Sequence, residues 1–335
     1  MKHQETSSFT MGSGSDLYPL KFIPILKEKV WGGEKLKRLF RKEKDGKIGE
    51  SWELSGVQDS ISKVRNGNHK GKSLLDLIKQ YKSNLVGEKV YRHFGDQFPL
   101  LFKFIDAKQD LSVQLHPDDD LAKSRHDSFG KTEMWYILHA EADARLILGF
   151  NGAMDVEKYQ KALSENTITS ILHSEKVQEG DAFFIPPGTV HAIGAGVVLA
   201  EIQQTSDVTY RIYDWDRPDT DGTFRELHTE LAVDAINFEP HSTKIFYSEE
   251  KNMPVLLKRI PYFETNKLDL SRSMERDLSN IDSFTVYMCV KGSATLKTGT
   301  HSETIETGET ILIPAVVNTL IIDTNEAIFL EVYIP

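Results

Sequence analysis

The sequence lacks several features that mark particular classes of protein. It has one cysteine, Cys289, among 335 residues, so no disulfide can form within the chain, and we expect a protein of the reducing cytoplasm. No apolar run approaches the roughly 20 residues of a membrane-spanning helix, and we therefore expect no membrane partner. Lys and Arg form no dense block and the formal net charge is -10, which argues against nucleic acid as a partner.

What the sequence does contain is typical of a folded, soluble chain. Hydrophobic residues make up 39% and charged residues 27%, as in ordinary globular proteins. A length of 335 residues exceeds one simple core and favours more than one unit. The polar N-terminal stretch MKHQETSSFTMGSGSD has no apolar centre, so we expect residues 1–16 to be a disordered extension and not a signal peptide.

The pattern of apolar residues predicts a mainly β protein with helical additions. Residues 73–95 have apolar positions at helical spacing, residues 154–173 form a second helical segment, and FRELHTELAVDAINF, residues 224–238, predicts a third. Most of the remaining chain is rich in Val, Ile, Phe and Tyr, with Gly and Pro at intervals. This composition is typical of short antiparallel strands in a barrel or jelly roll.

Two stretches of the chain indicate an internal duplication. GDAFFIPPGTVHAI (180–193) and GETILIPAVVNTL (308–320) each have a Gly, five residues with apolar positions, and a Pro. The copies differ at two positions of the motif. The second has Val316 and Thr319 where the first has Gly188 and His191. We therefore expect a functional site in the first β-unit only.

Four polar residues of the first copy form a candidate metal site. Gln114 and His116 lie two apart in a strand-like stretch, so both point to one face. Glu133 opens the next predicted strand, and His191 follows a Pro-Pro-Gly turn. Two imidazoles, a carboxylate and an amide oxygen suit zinc, which prefers four ligands. The same donors also suit Fe(II) and Mn(II).

The stretch GDAFFIPPGTVHAI resembles the second motif of the cupin superfamily, Gly-x5-Pro-x-Gly-x2-His. Its fixed positions are filled by Gly180, Pro186, Gly188 and His191. The Asn that usually follows is Ala195 here, and the usual first motif, His-x-His with Glu close behind, is replaced by Gln114-x-His116 with Glu133 much later. We expect the intervening residues 117–131 to form a surface loop. The resemblance implies two cupin-like jelly-roll units, the second without metal ligands.

Several further motifs, in order, resemble the type I mannose-6-phosphate isomerases in their shorter bacterial form. They are QLHPDD, GKTEMWYIL, PPGTVHAI and YRIYDWDR, with VWGGEKL (30–36), IGESWELS (48–55) and RELHTELAVDAI (225–236). The resemblance covers about residues 17–335 and implies interconversion of mannose 6-phosphate and fructose 6-phosphate. It further implies one zinc ion per chain, bound by Gln114, His116, Glu133 and His191.

The resemblance also suggests how the chain is divided. We expect a metal-binding cupin domain with helical inserts over residues 17–240 and a degenerate cupin domain over residues 250–335. Trp31, Trp52 and Trp135 are expected to pack in the core. His126 and the run Asp118 to Asp120 are expected on the loop surface.

Four residues receive roles in the isomerisation from the resemblance and from their positions. Arg211 matches the family's catalytic arginine and keeps the positive charge that an enediolate intermediate requires. Lys131, two residues before Glu133, is expected at the substrate, either contacting its oxygens or assisting proton transfer. Asp207, four residues before Arg211, is expected on the same strand face, where it moves a proton or holds Arg211. Ser112 is expected to bind the phosphate.

The sequence leaves other functions open. One is a different metal-dependent cupin enzyme, acting on another sugar phosphate or as an oxygenase, although the Gln among the ligands and the cations Lys131 and Arg211 argue against an oxygenase. Another is a sugar-binding cupin without catalysis, which the intact ligand set and Arg211 disfavour. We expect a small sugar phosphate as the only partner, and a monomer.

Overall fold

The computed structural model describes residues 14–42 and 45–335, so residues 1–13 of the expected extension lie outside the described part of the chain. The helices in this part are short. The α-helices are α1 (Lys35–Phe40), α2 (Leu74–Tyr81), α3 (Ser83–Val86), α4 (Glu88–Phe94), α5 (Asp119–His126), α6 (Val156–Ser164) and α7 (Thr229–Val233). The 3-10 turns are Gly14–Asp16 and Ile168–Ile171.

Strands dominate the described residues, as the sequence predicts. They are β1 (Leu20–Lys21), β2 (Ile25–Gly33), β3 (Ile48–Leu54), β4 (Leu100–Ala107), β5 (Val113–Leu115), β6 (Glu133–Ala140), β7 (Arg145–Phe150), β8 (Leu172–Lys176), β9 (Ala182–Ile185), β10 (His191–Ile193), β11 (Val197–Gln204), β12 (Tyr210–Tyr213), β13 (Lys244–Ile245), β14 (Pro254–Arg259), β15 (Glu264–Leu270), β16 (Met274–Asp277), β17 (Thr285–Thr298), β18 (His301–Glu306), β19 (Thr310–Ile313), β20 (Thr319–Asp323) and β21 (Ala327–Tyr333).

The described chain forms two compact units, each assembled from separate stretches. The central unit comprises Pro24–Ser60 and Leu100–Ser248. The C-terminal unit comprises the described residues up to Ile23, Ile61–Pro99 and Glu249–Pro335. The domain division at residues 240–250 stays a prediction.

The central unit is a pair of antiparallel sheets. One has the order β13-β9-β6-β11-β4-β2-β3 and the other the order β12-β5-β10-β7-β8. Apolar side chains of both sheets meet in one core, which includes Ile105, Trp135, Leu146, Phe183 and Ile193. Within the described residues neither sheet closes on itself. The expected jelly-roll architecture is therefore confirmed, whereas a closed barrel is not formed.

A second apolar layer covers the other face of the five-stranded sheet. Asp155 caps α6 by accepting a hydrogen bond from the Lys158 amide, and α6 buries Tyr159 and Ala162 in this layer. The helix predicted over residues 224–238 is shorter than expected, since α7 covers only Thr229–Val233. The His228 amide donates to the Arg211 carbonyl at 2.6 Å, so the preceding backbone is held against β12 and is not available for a helix.

The expectation of a loop over residues 117–131 is wrong, because α5 occupies its centre. The Asp118 carboxylate accepts a hydrogen bond from the Leu121 amide at 2.8 Å and caps the first turn. Asp119 and Asp120 lie in that turn and complement the helix dipole. His126 ends the helix and is exposed, as expected, with a ring nitrogen 2.8 Å from the Tyr210 hydroxyl.

The C-terminal unit repeats the strand order of the central unit. Its sheet contains the sequence β19-β17-β21-β15, which corresponds to β9-β6-β11-β4 in the central unit. The predicted helical segment 73–95 becomes α2, α3 and α4. Ser73 caps α2, which buries Leu74, Leu77, Ile78 and Tyr81 at helical spacing. The expected pair of cupin-like β-units is thus present.

Candidate active site

The four predicted metal ligands lie on neighbouring elements of the central unit. Gln114 is in β5 and stands directly opposite His191, the first residue of β10. Opposed residues of antiparallel strands project their side chains to the same face. His116 follows β5 immediately, and Glu133 is the first residue of β6 in the other sheet. The ligands therefore converge between the two sheets.

The turn before His191 depends on glycine. Gly188 has a φ of +79°, a conformation that L side chains rarely adopt. A Cβ atom at this position would lie 2.6 Å from the Ala235 carbonyl oxygen. The Gly188 amide also donates to the His116 carbonyl at 2.9 Å. The turn thus ties the end of β5 to the start of β10 and fixes the two histidines relative to each other.

Three of the ligand side chains are close enough to share one ion. Donor atoms of His116, Glu133 and His191 all lie within 4.8 Å of one another, and each residue is buried. Nε2 of His116 is 3.3 Å from Oε1 of Glu133, and Nε2 of His191 is 3.9 Å from Oε2. Ligands about 2.1 Å from a tetrahedral ion stand roughly 3.4 Å apart, so these separations fit a metal centre.

The backbone selects the nitrogen that each imidazole presents to the centre. Nδ1 of His116 is 2.9 Å from the Val208 carbonyl oxygen, and Nδ1 of His191 is 2.9 Å from that of Thr189. Because a carbonyl only accepts, each Nδ1 carries the hydrogen and each Nε2 keeps a lone pair. Both Nε2 atoms and Oε2 of Glu133 are buried without a hydrogen-bond partner, which an ion between them would supply.

Electrostatics keeps these ligands in the forms that bind a metal. Burial, together with the nearby Lys131 ammonium, lowers the pKa of His116 to about 3, and burial lowers the pKa of His191. Burial by itself raises the pKa of Glu133, but Lys131 and the histidines outweigh it and lower that pKa well below its usual value. Neutral imidazoles and an ionised carboxylate are the states that ligate metals.

A polar cavity opens beside these ligands. Gln114 and His191 line it together with the other residues predicted to act on the substrate, namely Ser112, Lys131, Asp207 and Arg211. Lys131 is buried, with Nζ 3.2 Å from Oε1 of Glu133. The Ser112 hydroxyl donates to Oε1 of Gln114 at 3.1 Å and so orients the amide.

Arg211 and Asp207 reach the cavity differently from the prediction. Arg211 is in β12, and its Nη1 donates to the Glu226 carbonyl at 2.8 Å, while its buried Nε has no partner. Asp207 precedes β12 and is exposed, so the two residues do not share a strand face. In the described structure no ion pair joins them, because Arg211 is fixed by backbone instead.

Five charged residues of the cavity were not predicted from the sequence: Lys29, Glu50, Lys103, Glu201 and Arg225. Lys103 donates to Oε1 of Glu201 at 2.7 Å and to Oε1 of Gln203 at 2.6 Å. The expected packing role of the tryptophans is only part of what they do. Nε1 of Trp52 donates to Glu50 at 2.6 Å and that of Trp135 to Glu201 at 2.9 Å, while these two rings and Trp31 also line the cavity.

These buried charges hold one another ionised to different degrees. Burial opposes ionisation of Glu50, yet Lys29 and Lys103 lower its pKa to about 2. Burial also opposes the charge on Lys103, but Glu201 and Glu50 raise its pKa. Burial and the charge on Glu133 raise the pKa of Glu201. The signal in the sequence was a charged residue inside a mostly apolar strand, Lys103 in LFKFIDA and Glu201 in VVLAEIQ.

Two family models match the chain. A family model described as phosphomannose isomerase type I, catalytic domain, matches residues 20–132. A second, described as mannose-6-phosphate isomerase, cupin domain, matches residues 255–332. The first match includes segments of both compact units, and the second lies within the C-terminal unit.

Relatives and solved structures extend the similarity over nearly the whole chain. The mannose-6-phosphate isomerase ManA of Bacillus subtilis is 36% identical over 300 residues, which cover 88% of this chain and 93% of that protein. The mannose-6-phosphate isomerase of Streptococcus mutans is 31% identical over 299 residues, which cover 88% and 92% of the two chains.

The crystal structure of the mannose 6-phosphate isomerase from Bacillus subtilis has a TM-score of 0.85 at 32% identity, covering 94% of this chain and 99% of that one. A fold neighbour at 18% identity and a TM-score of 0.74, covering 94% and 99%, is a mannose 6-phosphate isomerase bound with zinc and yttrium. The chain belongs to the type I phosphomannose isomerases, which interconvert mannose 6-phosphate and fructose 6-phosphate.

Proposed function

We propose that the chain interconverts mannose 6-phosphate and fructose 6-phosphate with one zinc ion held by Gln114, His116, Glu133 and His191. The observation that carries this proposal is the buried group of His116, Glu133 and His191, whose donor atoms lie within 4.8 Å of one another beside a cavity lined by cations. The chemistry that such an ion supplies when bound is Lewis-acid polarisation of a substrate oxygen.

The choice of zinc rests on the donors. Two imidazole nitrogens, one carboxylate and one amide oxygen suit four-coordinate zinc with room for water or substrate. The fold neighbour bound with zinc and yttrium supports the same choice. Ser112 contributes indirectly, because its hydroxyl bonds to Oε1 of Gln114. Its direct contact with the phosphate stays a prediction.

The reaction moves a proton between C1 and C2 of the sugar, and we propose a cis-enediol intermediate. Negative charge then develops on the oxygens of those carbons. Arg211 is the group proposed to neutralise it, because its guanidinium stays protonated and lines the cavity. Its Nε is buried without a partner, so it is available to a substrate oxygen.

Lys131 and Asp207 are the proposed proton carriers. Lys131 is held 3.2 Å from Glu133 and lines the cavity next to the ligands, where an ammonium can also bind sugar oxygens. Asp207 lines the same cavity from the solvent side and is exposed, so it can exchange protons with water. A carboxylate and an ammonium offer one acceptor and one donor for transfer between adjacent carbons.

Substitution of the metal ligands tests the proposal. His116→Ala and His191→Ala should each lower bound zinc and turnover of mannose 6-phosphate together, because each removes an Nε2 that no other described group replaces. His173→Ala is the matched control, since this histidine is exposed on β8. Zinc is measured by mass spectrometry of the purified protein and turnover by a coupled assay for fructose 6-phosphate. Full activity in a zinc-free variant would refute the metal-dependent mechanism.

We also propose that the protein works in the cytoplasm as a monomer. The single cysteine, Cys289, is buried, which suits a reducing compartment. Among the described residues no helix has both the length and the apolar character needed to cross a membrane. Light scattering of the purified protein tests the monomeric state.

A further inference from the structure

The turn that follows β12 is held in an unfavourable backbone conformation. Trp215 has a φ of 58° and Asp216 a φ of 48°. Aspartate tolerates this region, whereas a bulky aromatic residue rarely occupies it. Nε1 of Trp215 donates to the Leu111 carbonyl at 2.7 Å, which anchors the turn next to Ser112. Strain of this kind persists where the surrounding contacts impose it and concentrates at functional sites.

The residue that this turn places is Asp214, and it is buried. Its two carboxylate oxygens accept from Nε and Nη2 of Arg225, both at 2.6 Å. One of them also accepts from Nη2 of Arg217 at 3.2 Å. Bidentate pairing of this geometry fixes the plane of a guanidinium as well as its position.

After β12 a tight loop brings the chain, and with it Arg225, back towards this strand. The Asp219 amide donates to the Thr223 carbonyl at 2.7 Å, which reverses the chain. Arg211 then holds the residue after Arg225, because its Nη1 donates to the Glu226 carbonyl. As a result Arg225 lines the same cavity as Arg211.

The three arginines have more positive charge and more donors than their partners use. Nε of Arg211 and Nε of Arg217 are buried without a hydrogen-bond partner, and the bonds of Arg225 use Nε and Nη2, not Nη1. Asp214 neutralises one charge, and Asp219 stands 4.0 Å from Arg225. Burial and then the charge of Arg225 lower the pKa of Arg211, as expected where cations crowd together. An anion with several acceptor oxygens would satisfy this group.

We propose that Asp214 is a positioning residue that holds Arg225, with Arg217 behind it, so that Arg225 binds the phosphate of the sugar phosphate while Arg211 stays with the reacting carbons. This inference rests on the proposed function, because it assigns one end of the same cavity to the phosphate. The other end of the sugar, with the reacting carbons C1 and C2, then lies near the proposed metal ligands. A phosphomonoester presents three oxygens, and guanidinium forks match that geometry.

The test measures KM and kcat separately on the zinc-loaded full chain. Asp214→Asn and Arg225→Gln should each raise KM for mannose 6-phosphate by roughly tenfold to a hundredfold, the scale of a lost charge-assisted hydrogen bond, while kcat changes little. Inorganic phosphate should inhibit both variants more weakly than the unmodified protein by a similar factor. The double variant should be no worse than Arg225→Gln alone if Asp214 acts through Arg225.

Asp216→Asn is the matched control. It lies in the same strained turn, is exposed, and bonds to the Tyr213 hydroxyl at 3.0 Å, so KM should be unchanged. Unchanged KM and phosphate inhibition in Arg225→Gln would overturn the inference, and this variant decides the matter alone if Asp214→Asn fails to fold. If the unmodified zinc-loaded protein does not turn over mannose 6-phosphate, the proposed function fails. Calorimetry with inorganic phosphate on that protein and on Arg225→Gln then tests the phosphate site separately. Equal phosphate affinity of the two proteins would refute the phosphate site.

Discussion

Glu201 and Glu331 occupy equivalent positions in the two β-units and are neutralised in different ways. Glu201 stands opposite Trp135 and accepts from its indole, whereas Glu331 stands opposite Tyr287 and accepts from its hydroxyl at 2.7 Å. In the central unit Lys103 pairs with Glu201 and both line the cavity. In the C-terminal unit the Arg276 guanidinium binds both oxygens of Glu331, at 2.8 and 2.9 Å. Each copy thus neutralises its buried carboxylate with a different cation, Lys103 in the first and Arg276 in the second.

This difference predicts opposite effects of one substitution in the two copies. Glu331→Gln should lower the free energy of unfolding by about 2 kcal/mol, because it leaves the partly buried Arg276 guanidinium without its countercharge, while kcat/KM per folded molecule is kept. Glu201→Gln should lower kcat/KM at least about tenfold, because the cavity loses a charge that it holds beside Lys103. Denaturant unfolding and steady-state kinetics on both variants measure this, and an equal loss of kcat/KM in the two would contradict it.

Arg211 gives the sharpest prediction for a single side chain. Arg211→Ala should lower kcat by about a hundredfold or more, since it removes the cation that stabilises the charge of the intermediate, while zinc content stays normal. Arg211→Lys keeps a charge without the planar fork, so it should recover only part of the loss. Near-normal turnover in Arg211→Ala would show that another group carries this role.

The proposed metal ligands could be selected from the sequence because each has a local signature. Gln114 and His116 alternate along a strand, and His191 follows a turn that needs glycine. Glu201 and Lys103 were not predicted, because they pair with each other and lie 98 residues apart in sequence. Only the pairing of β11 with β4, which sets Glu201 opposite Lys103, shows that the two charges compensate each other.

Among the structural elements, the turn between β9 and β10 is the one that the metal site depends on most. Gly188→Ala should destabilise the protein by about 1–2 kcal/mol through its positive φ alone. The contact of the new Cβ with the Ala235 carbonyl at 2.6 Å adds to this and displaces His191. We therefore expect lower zinc affinity as well as a lower melting temperature.

Gly149→Ala separates these two causes. Gly149 has a φ of +76°, close to that of Gly188, but a Cβ there meets nothing within 4 Å. It should therefore lose stability without losing zinc affinity. Zinc titration against a chromophoric chelator and thermal unfolding give the comparison; equal zinc affinity in the two variants would mean that the turn does not position His191.

Helices and strands were predictable where local signals agree. Ser73 and the spacing of Leu74, Leu77 and Tyr81 specify α2. The helix α5 was missed although Asp118 is a good cap, because its body has a single buried residue, Ala122, and so shows little apolar periodicity. The helix at 224–238 was predicted too long, because its first residues bond to β12 and Arg211 instead.

At the scale of the whole molecule, duplication accounts for much of the architecture. The strand pairings align Glu133, opposite Ile185, with Thr285, opposite Ile313. The second copy thus has a hydroxyl where the first has the carboxylate of Glu133, a proposed metal ligand, in addition to lacking the Gly and His of the turn. Two units of one strand order were therefore predictable from the repeated motif. The assembly of each unit from separate stretches was not, because strand pairing over long sequence distances leaves no local signal.

The central proposal is that the mannose-6-phosphate isomerase activity of this chain requires a metal ion held by Gln114, His116, Glu133 and His191. It is tested most directly by a coupled assay for fructose 6-phosphate formed from mannose 6-phosphate, on purified protein before chelation, after chelation and after zinc is added back. We predict activity that disappears with the chelator and returns with about one equivalent of zinc per chain. Undiminished turnover by protein shown to be free of metal would contradict the account.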